Sequence, residues 1–157
     1  LLVDLAEYAL RIRKTVLKNT GIPVSVGIGP TKGLAKTTNH YAKKLPDKQG
    51  IFVLDSRETI NNALKNIEIG EVWGIGRQYA QLLKSYGVNT AWEFTQMQDG
   101  WVKQRMTVVG LKVKKELEGI SCLEMELVAP AKKAICTSEA ALIRSPASYP
   151  AVLFAVR

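Results

Sequence analysis

The chain has 157 residues, enough for one ordinary domain or two small ones sharing a core. Apolar residues make up 46% and charged residues 23%, which excludes an intrinsically disordered composition, and no apolar run approaches the roughly eighteen residues of a membrane helix. The formal net charge is +8, so a polyanionic partner such as DNA or a nucleotide is favoured over a cationic one, although a solvated lysine face accounts for the composition equally well.

The spacing of Leu5, Ala9, Ile12 and Val16 predicts an amphipathic helix over 2–18, stopped by Asn19-Thr20-Gly21. Pro23 to Ile28 alternates, with Val24, Val26 and Ile28 on one side, and reads as a strand. Gly27 and Gly29 then let the backbone turn tightly or approach something closely. A second helix is expected over 31–44, ended by Leu45-Pro46-Asp47, followed by a short strand over 51–54. This opening stretch is α/β in character. Past Asp55-Ser56 only short helices are expected. Ser56 caps one to about Lys65, residues 77–86 form another closed by Gly87, and Thr90-Ala91-Trp92-Glu93 is a capping box that starts a third. A further helix ends near Glu118-Gly119, with glycine in the usual C-terminal place. Residues 122–133 read as a linker, and Ala134 onward begins a further unit.

Cys122 and Cys136 form neither a CxxC nor a disulfide framework, and with His40 the only histidine no zinc arrangement exists in the sequence. No basic stretch leads into an apolar one in the manner of a secretory signal. A reduced, cytoplasmic protein is the expectation. The first residue is Leu1, already within a helical pattern, and the last residues are the apolar run Ala151 to Val156 before Arg157. A trimmed tag would explain the missing Met but not the apolar finish, so a piece of a longer protein is expected.

Charge is unevenly distributed. From Lys14 to Leu54 seven lysines face one acid, Asp47, for +6, whereas residues 55–121 carry nine basic and eight acidic residues. In the second stretch, Val72-Trp73-Gly74-Ile75-Gly76-Arg77 followed by Ala80, Leu83, Lys84 and Gly87-Val88 reads as a helix-hairpin-helix. Glycines in such a hairpin permit φ > 0 and expose successive backbone N–H groups at a helix start, where the dipole favours a phosphate oxygen. A hairpin of this kind holds DNA without reading bases. Trp73, Gly74, Ile75, Gly76 and Arg77 are therefore candidate phosphate-binding residues, with Ile75 plugging the tip and Arg77 and Lys84 adding charge. The plain alternative is a glycine turn between packed helices.

The stretch Ser25-Val26-Gly27-Ile28-Gly29-Pro30-Thr31-Lys32-Gly33-Leu34-Ala35-Lys36, continuing through Asn39-His40-Tyr41-Ala42-Lys43-Lys44, is not a P-loop, because no Gly-Lys-Ser/Thr closes it. It resembles instead the palm segment of the Y-family DNA polymerases, in particular the UmuC-like (ImpB/MucB/SamB) branch. There a strand ending in Val-Gly-Ile is followed by Thr-Lys, Leu-Ala-Lys and Asn-His-x-Ala-Lys-Lys. Further similarities follow in order: Glu71 to Arg77 resembles the family's thumb hairpin, Glu116 to Leu123 the end of the thumb, and Ala129 to Lys133 the tether to the little finger. The similarity fades after about Ser138, where Glu139 to Ile143 lacks the family's aromatic-glycine pattern.

The resemblance implies an α+β fold: a truncated α/β palm remnant over 1–54, then a small all-helical thumb over 55–121 with the helix-hairpin-helix. A linker over 122–133 and the start of a little finger over 134–157 would follow. It implies a DNA-holding piece of an error-prone translesion polymerase of an SOS-type damage response. The parent's partners would be primer-template DNA, an incoming nucleotide, a sliding clamp and accessory subunits. It implies Mg²⁺ in the full-length parent, held by closely spaced carboxylates upstream of the first helix. No Asp-Glu pair occurs in these residues, so no catalytic residue, metal or cofactor is expected here, and Asp4 and Glu7 read as surface residues favouring a helix N-terminus. Lys43 matches the family lysine that binds the triphosphate. Lys32 and Lys36, one turn apart, contribute to the positive field. His40 is expected to pack or hydrogen-bond, and Trp73, Trp92 and Trp101 to lie in the core. The strand over 24–28 is expected to present an open edge through which copies of the chain associate. Two rival readings are a non-catalytic helix-hairpin-helix scaffold and a basic module for an acidic protein.

Overall fold

The computed structural model describes residues 4–44 and 50–123, together with the backbone of two strands, Ala141–Arg144 and Val152–Val156. Helix α1 spans Leu5–Thr20. Asp4 starts it by accepting the Ala6 N–H at 2.9 Å and the Glu7 N–H at 3.4 Å, as its short carboxylate and N-terminal place dictate. Gly21 ends it at φ +70°, its N–H reaching Leu17 O at 2.8 Å.

Strand β1 (Ser25–Gly29) is buried along its whole length, because a helix covers each face. Val26 and Ile28 join Ala9 of α1 in one apolar cluster. The alternate residues meet α2 (Lys32–Ala42). A Cβ on Gly27 would sit 2.5 Å from both Ala35 O and Asn39 N, so only glycine lets the two backbones come this close. Close approach, rather than a tight turn, is therefore what Gly27 supplies. Strand β2 (Ile51–Val53) then pairs parallel to β1, with Val26 opposite Ile51 and Ile28 opposite Val53.

On its other side β1 pairs antiparallel with β4 (Val152–Val156), and β4 with β3 (Ala141–Arg144), giving the order β2-β1-β4-β3. Strand β1 therefore lies inside the sheet. Its expected open edge is taken by β4, and self-association through that edge loses its basis. Both β3 and β4 fall within the segment 134–157, and the linker residues 124–133 lie outside the described residues.

The helical half comprises α3 (Arg57–Asn66), a 3₁₀ turn at Ile69–Glu71, α4 (Arg77–Ser85), α5 (Ala91–Thr95) and α6 (Asp99–Leu117). Reciprocal capping boxes start two of these: Ser56 with Thr59, and Thr90 with Glu93. Positive φ at Gly87 (+80°) and Gly119 (+89°) marks the turns that close α4 and α6. Its core runs through Leu64, Ile67, Leu83, Phe94, Val102 and Leu117, all nearly inaccessible. Leu34 of α2 and Leu54 belong to the same cluster, so α2 serves both the sheet and the helices. Among the described residues no helix is long and apolar enough to cross a membrane.

Candidate nucleic-acid interface

The hairpin is anchored by its apolar residues and exposed at its glycines. Val72 and Ile75 are buried, and the Ile75 N–H closes the turn on Val72 O at 3.0 Å. Ile75 thus plugs the tip as its place in the pattern suggests. Gly74 adopts φ +94°, and a Cβ there would meet Val113 Cγ2 at 2.7 Å, so conformation and space both require glycine. Gly76 differs. Its φ is −75°, it is the N-cap of α4, and nothing lies within 4 Å of the Cβ it lacks. No side chain caps α4 and its first turn holds no acid, so its leading amides face outward beside exposed Arg77. Such an end is suited to an anion.

Two particulars depart from the helix-hairpin-helix expectation. The arm before the hairpin is the 3₁₀ turn at Ile69–Glu71 rather than an α-helix. Lys84 lies in the last turn of α4, about 10 Å along the axis from Arg77, and its ammonium is 3.5 Å from the Glu68 carboxylate. It therefore lies apart from the leading amides of α4.

The lysine-bearing α2 runs beside this hairpin. The Trp73 N–H donates to Thr37 Oγ1 at 3.3 Å, the Lys36 ammonium sits 4.8 Å from the Trp73 ring centroid, and Lys44 pairs with Glu71. Lys43 is exposed at the C-cap of α2, where a cation also suits the helix dipole. The two candidate regions found separately in the sequence are thus adjacent. Thr37 and Lys36 carry that junction, and nothing in their own spacing announces it.

Trp73 is 40% exposed, which corrects its expected core position, while Trp92 and Trp101 are partly buried against the core. The turn that buries Val72 and Ile75 leaves the residue between Val72 and Gly74 facing out. His40 is likewise exposed.

One residue that sequence reasoning missed is Glu116, only 1% exposed. Its Oε2 accepts the Gly33 N–H at 2.8 Å, at the start of α2, and its Oε1 accepts the Cys122 and Leu123 N–H groups at 2.6 and 3.0 Å. Its carbonyl accepts the Thr31 hydroxyl at 2.6 Å. The N-terminus of α2 is therefore already filled by an internal carboxylate, whereas that of α4 is open. A Cβ on Gly33 would lie 2.6 Å from Glu116 Cβ, and that glycine was the available hint.

The two ends of α6 are joined where Asp99 of its first turn and Glu118 at its C-cap pair with Lys114 and Lys115 of its last turn in a four-residue ion network. Hydrogen bonds from Lys114 and then Lys115 hold the Asp99 carboxyl below its ordinary range. Burial pushes Glu118 upward, but the same two ammonium groups outweigh it and leave it lowered. Lys115 is raised, first by Asp99 and then by Glu118. The Asn89 N–H and then the Thr90 N–H lower Glu93 in its capping box. Among the described residues no three His, Cys, Asp or Glu side chains converge as a metal site.

Comparison with known proteins bears on this arrangement. Residues 3–40 match the impB/mucB/samB family. The chain is 38% identical over 136 residues to protein UmuC of Salmonella typhimurium, covering 86% of this chain and 32% of that protein. It is 33% identical over 133 residues to protein ImpB of Salmonella typhimurium, covering 83% and 31%. To DNA polymerase IV 1 of Halalkalibacterium halodurans it is 31% identical over 114 residues, covering 73% and 26%. The chain thus spans about a third of the length of these curated relatives. Among solved structures, DinB from Sulfolobus solfataricus superposes with a TM-score of 0.56 at 24% identity, over 72% of this chain and 32% of that one. A Dbh ternary complex gives a TM-score of 0.54 at 24% identity over the same shares. The fold is shared with these two structures, and by its sequence the chain belongs to the impB/mucB/samB family.

Proposed function

We propose that these residues form the DNA-holding part of a Y-family translesion polymerase, with α1, β1, α2 and β2 as part of its palm, α3–α6 as its thumb, and residues 134–157 as the start of a little finger. The observation that carries this reading is the adjacency of the uncapped α4 N-terminus to the lysine-bearing α2, joined through Trp73, Thr37 and Lys36. Backbone amides of Gly76 and Arg77 would hold one DNA phosphate, with the Arg77 side chain beside it. Trp73, Gly74 and Ile75 shape that tip, and Lys84 would contribute a separate, weaker contact. Lys43 would take the triphosphate of an incoming nucleotide, as a mobile point charge suits β- and γ-oxygens. Because the contacts are to the backbone, binding is indifferent to sequence. Polymerases of this kind use Mg²⁺ held by clustered carboxylates, and nucleotide transfer is assigned to other parts of the parent.

The test is binding of fluorescein-labelled duplex DNA to the 157-residue chain over a range of salt. Affinity is expected to be weak, equal for unrelated sequences, and to fall steeply with added salt as phosphate counterions are released. Affinity that does not change between low and moderate salt would overturn the reading. Primer extension with Mg²⁺ is expected only from the longer parent polymerase, and extension by this chain alone would refute the division of labour.

A further inference from the structure

A tryptophan left 40% exposed on a well-packed helical lobe calls for a role other than packing. Its position is tightly determined. The backbone N–H of Trp73 is held by Thr37 Oγ1 at 3.3 Å, and the next residue, Gly74 at φ +94°, has Val113 directly behind it. The backbone that carries the indole is therefore held by α2 on one side and α6 on the other. Over this ring lies the Lys36 ammonium, 4.8 Å from the centroid. The negative face of an indole attracts a cation, and it restricts a side chain that otherwise samples many rotamers. Three residues after Trp73, α4 begins with no side-chain cap and open space at Gly76.

We propose that Trp73 is a positioning residue, whose ring docks the Lys36 ammonium beside the open α4 N-terminus so that one nucleic-acid phosphate meets both. This deepens the DNA-holding role proposed above and rests on it. The indole need not touch DNA. It acts by holding one lysine in place before binding, which lowers the ordering cost that a flexible cation meets on association.

The experiment compares duplex binding against salt for the wild-type chain, Trp73→Leu, Trp73→Phe, Lys36→Met and the Trp73→Leu/Lys36→Met double variant, with thermal unfolding of each as a control. Lys36→Met is expected to lower the salt exponent by about 0.9, the share of one phosphate contact. Trp73→Leu, which keeps apolar bulk but removes the π face, is expected to weaken binding about two- to five-fold. Trp73→Phe should recover part of that loss. Once Lys36 is Met, Trp73→Leu should have no further effect. Equal effects of Trp73→Leu in both backgrounds, or none in either, would overturn the positioning role while leaving DNA binding intact. A wild-type chain that binds no duplex at low salt would overturn both readings together.

Discussion

Two glycines of one hairpin have opposite functions, and single substitutions separate them. Gly76→Val places its side chain in open space on an extended backbone, so the fold is expected to lose less than about 1 kcal/mol. The added branch would stand in front of the α4 amides, and duplex binding is expected to fall at least several-fold. Gly74→Ala should behave in reverse. A positive φ and a 2.7 Å approach to Val113 together are expected to cost about 1–3 kcal/mol. Urea unfolding alongside fluorescence anisotropy distinguishes the two, and a Gly74 variant as stable as wild type would contradict the assignment. The glycine-rich pattern was legible in the sequence, but not which glycine answers to packing and which to access. That depended on Val113, a residue about forty positions away.

Helix ends decide how α2 and α6 are joined. Glu116 satisfies three backbone N–H groups while buried, so Glu116→Ala leaves all three without acceptors and is expected to destabilise by about 3 kcal/mol or more. Glu116→Gln keeps one carbonyl acceptor and should lose less. Denaturant midpoints that ranked the two variants the other way would argue against this account. Inside α6, Thr107 adopts φ 64° and ψ −173°, a region suited almost only to glycine, and divides the helix in two. Its hydroxyl accepts the Val109 N–H at 3.3 Å, a modest exposed bond. Thr107→Gly is therefore expected to raise the unfolding midpoint, since relief of about 1–3 kcal/mol of strain exceeds a bond of about 0.5–1 kcal/mol. Thr107→Ala keeps the strain, loses the bond and should lower it. Neither Glu116 nor Thr107 announces itself locally: one is an ordinary helical glutamate by spacing, the other an ordinary helical threonine.

For the whole molecule, the ion network at the ends of α6 is expected to contribute to a loss of stability at both pH extremes, with Glu93 of the capping box adding to the acid one. Asp99 and Glu118 have lowered folded pKa values, so their contribution is complete above the ordinary carboxylate range and is lost as pH falls through those lowered values, below about pH 4. Lys115 is raised, so its contribution is complete below the ordinary lysine pKa and is lost as pH rises past about 10.5. Thermal midpoints across pH should fall at both extremes, and Lys115→Met should flatten both limbs. An acid limb unchanged in that variant would exclude the network as its cause.

Local chemistry was enough to determine the β1-α2-β2 order, the Ser56 cap and the capping box at Thr90, the closing glycines at 87 and 119, and the concentration of lysines before residue 55. Each of these depends on residues within a turn or two of one another, where propensity and hydrogen-bonding reach are short. Only the tertiary structure decided that β4 closes the edge of β1, that Glu116 fills the α2 N-terminus, and that Trp73 turns outward beneath Lys36. Those outcomes pair groups 37 to about 130 residues apart, and a backbone amide or an indole face carries no mark in the sequence of the distant partner that will satisfy it.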